Sequence, residues 1–329
     1  MTLMAWEHAV RTRDSAYALR ERFGLTEDHR GPDWCFQRVG MSKTFMPDGR
    51  IICIAGEHED YYDKDFCIYN DVIVLRPDDG KEYVDMQSGR VEIYGYPEVV
   101  FPPTDFHSAT LVGDEIYIIG SLGYMDRREG GRTPIAVLDT RDYSIRTVES
   151  FGMKPGWVNR HSGAYEPATH SIVVRSGLKF DPAVKPQLSP NNAVFHLHLH
   201  DMKWERVRDR EPDFQFLIKS DDPYTDGYIE PLPSDFRPRT IAHVYLGTEG
   251  SYSDEHAFLV KGYRFRIGGA SYYNVVCDGD CPADLMQRVL QEISENLTNQ
   301  TGRKFMVIAV DPNLPSPTGG PRRFRDWFR

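Results

Sequence analysis

The chain has 329 residues, a formal net charge of −10, and 40% hydrophobic and 12% aromatic content. That is enough apolar mass for one large domain or two ordinary ones, which excludes a disordered chain. The negative charge argues against direct nucleic-acid binding, which needs a positive surface facing phosphate, and it suits a basic partner.

The first segment, 1–35, opens with "MTLMAWEHAVRTRD", which lacks the unbroken apolar stretch of a secretory signal. No run of about 18 apolar residues follows anywhere, so the expectation is a cytoplasmic protein that meets no membrane. Trp6, Val10, Tyr17, Leu19 and Phe23 recur at roughly helical spacing among Arg and Glu, predicting one amphipathic helix over 5–25. The five cysteines, Cys35, Cys53, Cys67, Cys277 and Cys281, are odd in number, and two fall in apolar strand-like runs; reduced, mostly buried thiols are expected.

From 36 to 208 the sequence repeats. "HSATLVGDEIYIIG" (107–120) reads as two short strands folded over a Gly-Asp turn. "MSKTFMPDGRIICIAGE" (41–57) and "HSGAYEPATHSIVVRSG" (161–177) follow the same plan, and "HAFLVKGYRFRIGG" (256–269), headed by His256, follows it more faintly. After a variable loop the first three continue into a third strand, "YNDVIVLRP", "TPIAVLDTRD" or "NNAVFHLHLHD", and then a fourth. Ser42, Ser108 and Ser162 stand 66 and 54 residues apart. Four strands per unit at that spacing is the rhythm of a propeller blade.

These elements resemble Kelch repeats, whose blades build β-propellers. The resemblance covers 38–208 well and 250–277 weakly. It departs at the end of the second strand, where "AGE", "IGS" and "RSG" replace the usual Gly-Gly doublet, and only the third copy carries a Trp (Trp204) near the start of strand four. The fold expected is mainly β, with Kelch-like blades, an N-terminal helix and a C-terminal α/β addition. Three blades do not close a ring. The missing walls would come from the N-terminal segment, a degenerate fourth unit or another chain, or the blades would form an incomplete or divergent ring, an open crescent.

Residues 209–249, with Pro212, Pro223, Pro231, Pro233 and Pro238, read as a long connection. In 250–329 the weak fourth hairpin precedes "CPADLMQRVLQEISENLTNQ", a helix with Leu285, Val289, Ile293 and Leu297 on one stripe, Asp280 as N-cap and Pro282 in the first turn. Flanked by "YYNVVCD" and "KFMVIAVDP", it reads as a strand-helix-strand unit of the kind that pairs in parallel, followed by a short basic tail.

Few residues carry chemistry. His196, His198 and His200 share one strand face; strand rise keeps the outer two about 13 Å apart, so only a neighbouring pair could join one metal ion. His196 and His198 are therefore the metal-ligand candidates, and no cofactor is otherwise expected. Cys277 and Cys281 have no matching His/Cys pair for zinc. Asp278, Asp280 and Asp311 would sit at strand ends, where α/β proteins bind ligands, but no Gly-rich phosphate loop accompanies them. No nucleophile motif is present.

The connections between second and third strands, 57–68, 121–132 and 178–190, are far longer than a turn requires, and equivalent loops of a propeller emerge on one face. Asp60, Tyr61, Tyr62, Tyr124, Arg127, Arg128 and Phe180 are the side chains expected to grip a partner protein. A non-catalytic protein-binding module is thus the leading expectation, in one form an inhibitor or immunity-type protein for a basic target. A Kelch-type enzyme with a carbohydrate or other small molecule in a central channel, and a self-pairing homo-oligomer of three blades plus three, are the alternatives.

Overall fold

The computed structural model describes residues 3–24, 34–58, 66–78, 89–211, 213–220, 256–268 and 273–310, and the backbone of 243–248. The protein is mainly β. It divides into two compact units, 1–210 with 243–264, and 211–242 with 265–329. Among the described residues no helix is long and apolar enough to cross a membrane.

Three antiparallel meanders dominate the first unit. The first sheet orders β1 (Ser42–Phe45), β2 (Ile51–Ile54), β5 (Asp71–Arg76) and β6 (Arg90–Gly95). Between β2 and β5 stands a short pair, β3 (Glu57–His58) with β4 (Cys67–Ile68). The second sheet orders β7 (Ser108–Val112), β8 (Glu115–Ile119), β9 (Ile135–Asp139) and β10 (Ile145–Thr147). The third orders β13 (Ser162–Glu166), β14 (Ser171–Arg175), β17 (Ala193–His198) and β18 (Lys203–Asp209), and adds β11 (Phe151–Gly152) in parallel on β18. The 178–190 connection is itself a hairpin, β15 (Leu178–Phe180) and β16 (Leu188–Pro190), paired to β12 (Trp157–Asn159).

Period-two alternation decides the packing. Ile52 and Ile54 of β2 join Val72, Val74, Ile116, Ile118 and Leu138 in the core between the first and second sheets. Their neighbour Cys53 points the other way, with Ile73 and Leu75, toward Val10 and Phe36. Between the second and third sheets Ile119, Ile135 and Val137 meet Ile172, Val174, Phe195, Leu197 and Trp204. Each fully buried aliphatic or aromatic side chain contributes about 1.5–3 kcal/mol. The lone Trp204 is buried, and its Nε1–H donates to Ser150 Oγ at 3.0 Å.

Neighbouring repeats are also stapled by polar groups at the heads of their inner strands. Gly40, Phe106 and Arg160, each two residues before the repeating Ser, take left-handed φ values of 67°, 47° and 55°. That turn aims the Gly40 carbonyl at Phe106 N–H (2.9 Å) and the Phe106 carbonyl at Arg160 N–H (2.8 Å). The Arg264 guanidinium donates to the Arg160 carbonyl. At Gly40 a Cβ would lie 2.7 Å from Phe106 N, so glycine is required there for space, whereas Phe106 and Arg160 hold the same conformation with a side chain. His107 Nε2 shares a hydrogen bond with Ser42 Oγ at 2.8 Å, and His161 Nε2 with Ser108 Oγ at 2.9 Å.

Several expectations are corrected. The single N-terminal helix is two, α1 (Leu3–Thr12) and α2 (Ala16–Arg22), because Arg13 turns left-handed and Ser15 caps the second by accepting from Ala18 N–H. The segment 209–249 is more than a connection: it contains β19 (Phe214–Ser220) and β20 (His243–Thr248). His256 heads a second strand rather than a first, since β21 (His256–Val260) pairs back onto β20. The reduced, mostly buried thiols are as expected, with only Cys67 partly exposed.

In the second unit β22 (Tyr263–Gly268, paired from Phe265), β23 (Tyr273–Cys277), β19 and β24 (Phe305–Ala309) lie in that order. Helix α3 (Ala283–Thr301) joins β23 to β24 and buries Leu285, Val289, Ile293 and Leu297, the stripe read from the sequence. The strand-helix-strand unit forms, but its strands do not pair. β19 inserts between them, antiparallel to both, so β23 and β24 share a direction with one strand separating them. Asp280 is not the helix cap: Pro282 holds that position, and no side chain caps the first turn.

Burial holds His107 and His161 far below the ordinary 6.5, to about 3, so both rings stay neutral in the folded protein. The unfolded chain therefore binds more protons between pH 6.5 and 3, and stability falls as pH drops through that window. Each ring is expected to cost about 2 kcal/mol at pH 5 relative to pH 7.5. Urea midpoints at the two pH values measure the loss, and His107→Gln or His161→Gln should flatten it. An unchanged slope in both variants would contradict the staple.

Candidate functional site

The surface that gathers the predicted side chains is built on Asp105, three residues before the repeating Ser108. Asp105 is fully buried. Its Oδ1 accepts from Ser121 Oγ–H at 3.0 Å and Gly123 N–H at 2.6 Å, and its carbonyl accepts from Leu122 N–H at 3.0 Å. The root of the 121–132 connection is thereby fixed to the strand head. Arg128 then folds inward, donating from Nε to the Leu122 carbonyl (2.8 Å) and from Nη2 to the Gly123 carbonyl (3.0 Å). Its guanidinium carbon lies 5.9 Å from the centre of the buried Phe180 ring. Burial lowers the proton affinity of Arg128, opposed by the negative charges of Asp105 and Glu57.

Tyr124 links the same connection to the short β3–β4 pair. Its hydroxyl oxygen accepts from Ile68 N–H at 3.0 Å, its ring meets Phe66 edge-on at 5.9 Å, and burial pushes the hydroxyl up from its ordinary value. Arg127 sits 5.5 Å over the Tyr124 ring and pairs with Glu98 at 2.7 Å, both side chains exposed. The connections 57–68, 121–132 and 178–190 thus meet, as the sequence suggested. The turn at 97–101 joins them, which it did not suggest.

The roles differ from those expected. Arg128 and Phe180 point inward and hold the loops together, and Tyr124 is half-spent on Ile68. Asp60, Tyr61 and Tyr62 lie outside the described residues. The groups that face outward are Phe66 (46% exposed), Met125 (70%) and Val99 (90%), grouped around the Tyr124–Arg127–Glu98 cluster. Sequence reading missed all three because apolar residues in loops lack a periodic pattern. A signal was there in "PEVVFPP", where Val99 and Val100 interrupt a Pro-rich turn with nothing to alternate against.

The metal candidates stand apart from this surface. His196 and His198 have ring centres 6.2 Å apart. His196 Nδ1 shares a hydrogen bond with Ser171 Oγ at 3.1 Å, and His198 Nε2 lies 3.0 Å from Glu205 Oε2. Burial lowers the proton affinity of His196, which favours neutral imidazole there. His200 falls in the turn after β17 rather than on the strand face. Among the described residues no group of three or more His, Cys, Asp or Glu is placed to hold a metal ion. Cys277 Sγ–H donates to the Asp278 carbonyl at 3.5 Å and Cys281 Sγ–H to the Pro282 carbonyl at 3.7 Å, and the neighbouring Cys281 thiol together with burial raises the Cys277 thiol. Asp278 is buried and its Oδ1 accepts from Asp280 N–H; Asp280 Oδ1 accepts from Glu211 N–H. Asp311 lies outside the described residues.

Comparison with family models and with curated proteins returns no match to this chain.

Asp105→Ala would leave the Gly123 N–H without its acceptor in a dry site and is expected to destabilise the protein by about 1–3 kcal/mol. Arg127→Ala, at an exposed ion pair, should leave the urea midpoint unchanged. Equal effects of the two substitutions would contradict the anchoring role of Asp105.

Proposed function

We propose that this chain is a non-catalytic protein-binding module of Kelch-like β-propeller blades, and that it recognises its partner through the Phe66–Val99–Met125 surface. The observation that carries the reading is that surface itself: exposed apolar side chains on connections tied down at their roots by Asp105, Arg128 and the Tyr124–Ile68 bond. Loops ordered before binding lose little entropy on contact, and apolar anchors ringed by polar groups are the usual source of interface energy.

The blade reading is supported by the three four-stranded meanders and by the nesting of their inner strands, β1 beside β7 and β7 beside β13, with β20 beside β1. It is supported too by the positions where the Gly-Gly doublet is missing. Ala55, Gly120 and Ser176 keep left-handed φ values of 52°, 74° and 61°. The net charge of −10 suits a basic partner, an inhibited enzyme among them.

The test is recovery of the partner on immobilised chain, its identification, and measurement of affinity for purified components. Val99→Asp with Met125→Asp should weaken binding by about tenfold or more while the urea midpoint holds. Undiminished affinity in that double variant would sink the surface. A stoichiometric metal in elemental analysis of the purified protein would favour the enzyme alternative instead.

A further inference from the structure

The second unit brings together two thiols that the loop surface does not use. Cys277 ends β23 and is pinned on both sides, opposite Phe265 of β22 and Phe214 of β19. Cys281 stands just ahead of α3, separated from it by Pro282. The segment between them folds back on itself. Cys281 N–H donates to the Asp278 carbonyl at 2.9 Å, and Cys277 Sγ–H donates to the same oxygen at 3.5 Å. Asp280 N–H, on Asp278 Oδ1 at 3.1 Å, tightens the turn. One carbonyl thus gathers both residues and leaves their thiols as neighbours.

The surroundings select among the reactions that two thiols can share. Cys277 is wholly buried, and Cys281 is 5% exposed beside the exposed Pro282. The thiol of Cys281, burial, and the charges of Asp278 and Asp213 all hold Cys277 protonated. A pair of thiolates would add negative charge to a dry, acidic corner. Among the described residues no third His, Cys, Asp or Glu is placed to complete a metal site with them. A disulfide is neutral and needs no counter-charge.

We propose that Cys277 and Cys281 form a reversible disulfide, a clasp that ties the start of α3 to the middle of the second unit's sheet. The reaction is exchange with a small disulfide such as oxidised glutathione. The Cys281 sulfur, the less buried of the two, loses its proton to solvent and attacks, releasing one small thiol. The Cys277 sulfur then loses its proton, attacks the Cys281 sulfur and releases the second. Two protein thiols become one S–S bond, and the small disulfide is reduced to two thiols. Because thiolate is disfavoured here, exchange waits on opening of the turn and takes on the order of hours.

The clasp acts where the fold is thinly held. No side chain caps the first turn of α3, and the same turn carries Asp280 Oδ1, the acceptor for Glu211 N–H ahead of β19. Closing the short loop restricts the unfolded chain and secures that corner. It is independent of the function proposed above.

The experiment holds the folded full chain in oxidised glutathione, alkylates the remaining thiols after unfolding, and maps the product by peptide mass spectrometry. Two of the five thiols should be lost, with the bond between Cys277 and Cys281. The urea midpoint should rise, and a dithiol reductant should reverse both changes. In Cys281→Ser the four remaining thiols should stay free and oxidised glutathione should leave the midpoint unmoved. Should that variant fail to fold, the map of the wild-type chain decides. Five thiols still free, a glutathione adduct that persists on Cys281, a bond mapped to another pair, or a 277–281 bond that leaves the urea midpoint where it was would overturn the proposal.

Discussion

How closely successive inner strands approach one another governs the first unit. Gly40, Phe106 and Arg160 turn left-handed so that the carbonyls of the first two reach the amide of the next repeat. The approach leaves no room to spare. At Gly163 a Cβ would stand 2.6 Å from Ser108 Oγ. With the strand heads this near, buried hydroxyls and imidazoles must turn to each other, and the Ser42–His107 and Ser108–His161 bonds pair one nitrogen of each ring, while both Nδ1 atoms stay buried without a partner. The apolar cores between sheets supply most of the stabilisation, but they are tolerant of sliding. The polar staples set the register.

The loop surface inherits its order from those staples. Asp105 is one residue away from a left-handed turn and two from a stapling histidine, so the carboxylate that anchors Ser121 and Gly123 cannot wander. Arg128 completes the arrangement by using its donors on carbonyls of its own loop. The result is a set of connections longer than turns and yet held by buried groups at their roots, which is what allows Val99 and Met125 to stand exposed without collapsing onto the body.

The three sheets were legible because their determinants are local and repetitive. The unbroken apolar runs Ile51–Ile54 and Ile116–Ile119 announce strands with two covered faces, and the His-Ser pair recurs because each copy staples the one before it. Trp204 and the stripe of α3 were readable for the same reason. What escaped was non-local. Nothing in Phe214–Ser220 tells that it will slide between β23 and β24, since a strand buried on both faces has no preferred neighbour in its own sequence. β20 was hidden behind the prolines before it, which displaced the fourth hairpin by one strand. At the loop surface the sequence carries residue types but not their directions. An Arg in a loop can grip a partner or its own carbonyls, and only the placement of Asp105 and Phe180 decides between them.

The covering of the first sheet by the N-terminal helices bears on how the chain is made. Val10 is packed on Cys53, Ile73 and Leu75, and Trp34 and Arg38 close over Asp71, with the guanidinium 3.6 Å from the Tyr69 ring centre. During vectorial synthesis these helices emerge before the strands they cover and are thus obliged to wait, apolar side outward, until the first meander has been completed behind them. The pair of helices is a lid manufactured before its vessel, and its nascent exposure is an interval in which a chaperone, or a neighbouring nascent chain, competes for the same side chains.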